Sequence, residues 1–231
     1  MKTNKQSLRS RDLKQHIEFD IDFRRNPYKG KLIVLEGLDG SGKTTQSQRL
    51  VESLEGLDYK AKYTKEPTEG PIGTLIKQIL WGDVKLSPRA MQYLYVADRA
   101  DHSELIEDYL KKGVYVIADR YFWSSVAYGS YDMDKIDDYF LTAQSILSYY
   151  HRFLVPDVTF YLDIDPEKSF ERVKETKKRK EMYKDPKKMK KIKKGYDFLL
   201  EKFPEEFTII DANKSVEEVN SQLIKKIKEL K

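Results

Sequence analysis

Apolar residues in this chain follow two alternating patterns. Short uninterrupted runs, such as Leu32-Ile33-Val34-Leu35 and Val114-Tyr115-Val116-Ile117-Ala118, are separated by longer stretches in which apolar residues return every third or fourth position. The first pattern belongs to strands buried on both faces, as in parallel sheets, and the second to helices with one buried face. Strands are therefore expected at Lys31–Glu36, Lys60–Thr64, 114–118, Val158–Ile164 and Phe207–Asp211. A helix is expected from Lys43 to about Leu54, with Leu50, Val51 and Leu54 facing inward and Gly56 as its stop, and another up to about Leu80. A long one starts at Ser87-Pro88, a cap residue followed by proline in the first turn, and closes at Lys111-Lys112-Gly113. It carries Met91, Leu94, Tyr95, Leu105, Ile106 and Leu110 at helical spacing. Further helices are expected over Ile136–His151, from Asp165-Pro166-Glu167, and after the capping box Ser215-Val216-Glu217-Glu218. Strands alternating with helices predict an α/β fold with a doubly wound parallel β-sheet flanked by helices.

Two stretches do not fit this alternation. Residues 1–29 are polar and dense in charge, with a brief alternation of Ile17, Phe19, Ile21 and Phe23, and are expected to form a flexible N-terminal arm ahead of a domain over 30–231. Lys65-Glu66-Pro67-Thr68-Glu69-Gly70-Pro71-Ile72-Gly73 is too rich in proline and glycine for a regular element. It reads as a loop at a strand's C-terminal end, the edge where open α/β sheets bind ligands.

At that same edge, the first strand runs into Gly37-Leu38-Asp39-Gly40-Ser41-Gly42-Lys43-Thr44-Thr45, which fits G-x-x-x-x-G-K-[ST] between a strand and a helix. The glycines let successive N–H groups turn toward phosphate oxygens, and the helix N-terminus adds further donors and partial positive charge. Lys43 can reach the outer phosphates and the Thr44 hydroxyl can ligate Mg²⁺. By itself this loop implies a ligand that carries nucleotide phosphates, with Mg²⁺. The strand over 114–118 ends in Asp119-Arg120-Tyr121 at this edge as well.

Composition narrows the classes. Lys and Arg number 43 against 38 Asp and Glu, a net charge of +5 over 231 residues, and there is no cysteine. Disulfides, cysteine-ligated zinc and thiol catalysis are excluded. No run has the length of a membrane-spanning helix. Met1–Asp12 is charged and lacks the apolar centre of a secretory signal, so a cytoplasmic protein is expected. The most basic stretch, 174–194, admits three readings: a solvated helical face, a mobile flap bringing cations over phosphates, or a nucleic-acid patch. Aromatics are sparse for base stacking, with Tyr183 inside the stretch and Tyr196 just beyond it, so nucleic acid is not the expected partner.

Taken together, Leu35–Gln46, Thr64-Lys65-Glu66-Pro67, Tyr95-Val96-Ala97-Asp98-Arg99 and Asp119-Arg120-Tyr121 with Ser124, Ala127 and Tyr128 resemble the thymidylate kinases of the nucleoside-monophosphate kinase group, over about residues 31–231. The resemblance implies Mg²⁺-dependent transfer of the ATP γ-phosphate to dTMP, and a homodimer. It implies that Lys43, Thr44 and the loop residues hold ATP and metal, and that Asp39 approaches the acceptor sugar. Tyr95 would stack on the base, Arg99 and Ser125 would contact it, and Tyr128 would crowd the 2′ position. Arg120 would grip the acceptor phosphate, Lys65 would stand near a second clamp, and Asp119 would help organise the metal. The loop has no arginine between its glycines, so the resemblance moves the catalytic cation to a lid at about 174–190, where Arg179 is the candidate. Two positions depart from the family. Lys65 stands where many members have arginine, and Gly129 where many bacterial members have glutamine. Rival readings are a kinase for another nucleotide, a nucleoside kinase with Glu36 as base, and a regulatory nucleotide-binding module.

Overall fold

The computed structural model describes residues 22–129, 136–175 and 186–230. Arg179, most of the expected lid and residues 1–21 lie outside the described residues.

The core element is β2 (Leu32–Gly37), whose six residues are all buried. Its apolar run has no polar side because both faces are covered, and each such side chain contributes on the order of 1.5–3 kcal/mol by leaving water. Around it a five-stranded parallel sheet forms in the order β3 (Ala61–Lys65), β4 (Tyr115–Asp119), β2, β6 (Val158–Asp163), β7 (Phe207–Asp211). The chain builds one side of β2 first and then crosses to the other, so the crevice at its C-terminal end is a topological switch point.

The helices are α1 (Lys43–Glu55), α2 (Pro71–Trp81), α3 (Pro88–Lys111), α4 (Phe122–Gly129), α5 (Ile136–Tyr150), α6 (Pro166–Glu175), α7 (Pro186–Lys202) and α8 (Val216–Lys228). Ser87 caps α3 by accepting from the Ala90 N–H, and Ser215 with Glu218 forms the expected capping box on α8. Among the described residues, no helix is long and apolar enough to cross a membrane.

One expectation is corrected. Residues 24–29 belong to the domain and are not an arm. Strand β1 (Arg24–Arg25) pairs in parallel with β5 (Leu154–Val155), Arg24 bonds Glu107, Arg25 bonds Glu206, and the Asn26 amide donates to Asp157 at 2.7 Å. Two charged residues carry no hydrophobic signal, so their pairing is invisible to periodicity. On α3, Leu105 faces out, 52 % exposed, while Asp98, Arg99, His102, Ile106 and Leu110 are buried. The inner face of that helix is polar because it borders the crevice described below.

Candidate active site

Strand β2 delivers the glycine-rich loop, and the loop opens α1. Gly42 caps α1 with φ 94, a left-handed conformation that suits glycine, and Gly40 (φ 80) passes so close to the Ser169 carbonyl that a Cβ would stand 2.6 Å from it. Lys43 folds back over this loop and donates to the carbonyls of Gly37 at 3.1 Å and Leu38 at 2.6 Å. Burial, followed by the Arg120 charge, pulls the Lys43 ammonium down to about 8. It is a cation held where only an anion would fully compensate it.

Strand β4 supplies the next two groups. The Asp119 carboxylate accepts a hydrogen bond from the Thr44 hydroxyl. Arg120 adopts φ 76, uncommon for a residue with a side chain. Its Nη2 donates to Asp39 Oδ1 at 2.6 Å and Tyr128 Oη at 2.9 Å, and its Nη1 to Ser124 Oγ at 2.9 Å. Asp39 Oδ2 accepts from the Tyr128 hydroxyl at 2.9 Å.

Beneath Arg120 lies Glu36, with no exposure. Its Oε1 accepts from the N–H groups of Tyr121 (3.0 Å) and Ser124 (3.1 Å) at the start of α4, and its Oε2 from the Tyr196 hydroxyl at 2.9 Å. Burial pushes this carboxyl above its ordinary range. Both oxygens are committed to holding α4 and α7, so Glu36 is not a base facing a substrate hydroxyl.

A second buried cluster centres on Glu66. Arg99 donates to it from Nε at 2.7 Å and from Nη2, and His102 Nδ1 lies 3.0 Å from its other oxygen. The remaining Arg99 Nη1 donates to Ser125 Oγ at 3.1 Å, and the Tyr150 ring lies 4.7 Å from the guanidinium carbon. Burial opposes ionisation of Glu66, but Arg99 and His102 outweigh it, and the carboxyl is held below its ordinary range. Lys65 pairs with Glu69 at 2.8 Å.

Lys43, Thr44, Glu66, Arg99, Asp119 and Arg120 border one cleft of about 870 Å³. Its lining includes Asp39 to Gln46 from the loop and α1, Tyr95 and Arg99 from α3, Asp119 and Arg120 from the end of β4, and Ser125 and Tyr128 from α4. Of the candidate residues, Asp39 to Thr45, Lys65, Tyr95, Arg99, Asp119, Arg120, Ser125 and Tyr128 line it. Gly37 and Leu38 contribute through the carbonyls that hold Lys43. The sequence reading missed Gln92, Arg172 and Lys214, which also line the cleft. Spacing points to Gln92, three residues before Tyr95 and seven before Arg99 on one helix. Arg172 and Lys214 carry no such signal.

A parallel sheet with a glycine-rich loop and lysine at its switch point defines the P-loop NTPase fold. Within that class, residues 35–223 match the family model described as thymidylate kinase. The probable thymidylate kinase of Thermococcus kodakarensis is 38 % identical over 211 residues, covering 86 % of this chain and 97 % of that one. The thymidylate kinase of an Exiguobacterium species is 32 % identical, covering 84 % and 92 %. The solved thymidylate kinase of Candida albicans superposes with a TM-score of 0.73 at 30 % identity, covering 87 % of this chain and 92 % of that one. The chain belongs to the thymidylate kinase family.

Proposed function

We propose that this enzyme transfers the γ-phosphate of ATP to dTMP, giving dTDP and ADP. The observation that carries this reading is the cleft itself, which is lined together by the phosphate-binding loop, by Tyr95, Arg99 and Ser125, and by Arg120. The loop N–H groups and Lys43 hold the donor phosphates. Arg120 leaves its contact with Asp39 to take the acceptor phosphate, because a planar guanidinium donates two parallel hydrogen bonds to such a group. Asp39 is then available to the acceptor sugar, and the Tyr128 ring to the 2′ position. The acceptor is already an anion, so it needs alignment rather than a general base, and catalysis rests on positioning and charge neutralisation.

The Thr44 hydroxyl and the Asp119 carboxylate are hard oxygen donors that already touch, a set that suits Mg²⁺, which keeps several waters and takes phosphate oxygens as further ligands. When bound there, the metal neutralises charge on the donor phosphates. Arg179 is proposed as the cation over the transferred group. Its replacement by alanine lowers turnover by about 10²–10³, less than the ~10³–10⁵ of arginine fingers elsewhere, because neighbouring lysines substitute in part. Unchanged turnover removes it from the site.

The reading also implies a cytoplasmic homodimer, with Tyr93 and Leu105 of α3 and Tyr149 of α5 among the exposed apolar residues that a partner would cover. Sedimentation at micromolar concentration tests this assembly. The test of the activity is ADP release with Mg²⁺ and ATP against dTMP, dUMP, dCMP, dGMP, UMP and thymidine. Preference for dTMP supports the reading, and turnover of thymidine but not dTMP overturns it.

A further inference from the structure

Position 129 is a glycine at the end of α4, next to Tyr128, which lines the cleft. A Cβ built there would lie 2.8 Å from Gln92 Nε2, 3.4 Å from Gln92 Cδ and 2.7 Å from an Ile146 methyl. The space in front of residue 129 is thus filled by an amide arriving from α3. Gln92 lines the cleft together with Tyr95 and Arg99. The three share one face of α3. Among the described residues, Gln92 Oε1 is a buried acceptor with no hydrogen-bond donor. A buried polar atom without a partner is costly and rare, and a ligand that supplies the missing donor is favoured there.

We propose that Gln92 is a specificity-determining residue whose amide, occupying the space vacated at Gly129, hydrogen-bonds the imide edge of the acceptor base. This rests on the reading that Tyr95 and Arg99 hold that base. Thymine presents acceptor, donor, acceptor along O2, N3–H and O4. Arg99 is donor-only, so it selects a carbonyl and disfavours the 4-amino group of cytosine. The Gln92 amide provides what Arg99 cannot, an acceptor for N3–H, and its NH₂ serves a flanking carbonyl. Neither a leucine nor an alanine at position 92 supplies either contact.

The experiment measures kcat and KM with dTMP and with its N3-methyl analogue, which lacks the imide donor. Three proteins are compared with wild type: Gln92→Leu, the double variant Gln92→Ala/Gly129→Gln, and Tyr95→Ala. For Gln92→Leu, KM for dTMP rises about 10- to 100-fold with kcat little changed, the range expected for a buried hydrogen bond lost to a bound ligand. The preference for dTMP over the methyl analogue narrows by about tenfold or more. The double variant, which returns an amide to the same space from α4, regains at least part of that preference. A purely structural role would weaken both substrates equally and leave the ratio unmoved. An unmoved ratio in Gln92→Leu overturns the proposal, as does a double variant no better than Gln92→Leu. If Tyr95→Ala raises KM for dTMP while the Gln92 variants leave the ratio alone, only Gln92 is dismissed. If Tyr95→Ala also leaves KM unmoved, the base-site reading falls with it.

Discussion

Arg99 is locked to Glu66: its Nε donates to the carboxylate at 2.7 Å, with both side chains at least 96 % removed from solvent. A fully buried ion pair is weak evidence for stability, because desolvation cancels much of the attraction. What it does provide is a fixed guanidinium. The bonds to Glu66 and the Tyr150 face leave Nη1 directed at Ser125 on the cleft wall.

Removing Glu66 therefore leaves a buried cation without its partner. Glu66→Ala is expected to destabilise the fold by about 3–5 kcal/mol, seen as a lower midpoint in chemical denaturation. Because this carboxyl is held below its ordinary range, its contribution is present above the unfolded pKa and is lost as pH falls through the lower folded value. The acid limb of the stability profile should accordingly be shallower in Glu66→Ala than in wild type. Equal acid limbs would show that Glu66 contributes no such linkage.

Lys43 works in the opposite direction. Its ammonium is drawn down to about 8 in the fold, so between about pH 8 and the ordinary lysine value the unfolded chain holds more protons than the folded one. Stability of the nucleotide-free protein from this group is thus lowest below pH 8 and rises as pH increases through that window. Lys43→Met should flatten this rise and stabilise the nucleotide-free protein at pH 7 by on the order of a few kcal/mol, while abolishing measurable turnover. A variant that is no more stable than wild type at pH 7 would contradict the burial cost assigned to this lysine.

Arg120 holds five side-chain and backbone partners from a left-handed backbone. Arg120→Lys keeps the charge but loses the fork, and kcat/KM for the acceptor is expected to fall by about 10²–10³ with a near-native circular dichroism spectrum. A loss below about tenfold would argue that the acceptor phosphate is held elsewhere.

Gly195 lies in α7 where that helix crosses α4, and a Cβ there would stand 2.6 Å from the Ala127 carbonyl oxygen and 2.9 Å from its Cα. Glycine to alanine inside a helix normally gains about 1 kcal/mol. Here the neighbour is backbone and cannot yield, so overpacking wins. Gly195→Ala should lose about 1–3 kcal/mol and reduce turnover, because α4 carries Ser124, Ser125 and Tyr128. A rise in melting temperature would refute the close approach.

By itself the sequence determined the strand order along the chain, the phosphate-binding loop, the caps on α3 and α8, and part of the set of residues that line the cleft. These are local signals: an apolar run, a glycine where φ must be positive, a hydroxyl before a helix. Only the tertiary structure decided that Glu36 anchors α4 and α7 rather than facing a substrate, that Glu66 fixes Arg99, that Arg24 and Arg25 form a strand with Leu154 and Val155, and that Gln92 fills the space at Gly129. Each of these joins residues distant in sequence or on different elements. A carboxylate, an arginine or an amide has the same local preferences whether it meets solvent, a substrate or a buried partner. Which of these it meets is set by how the helices pack across the sheet, and no periodicity along the chain records that.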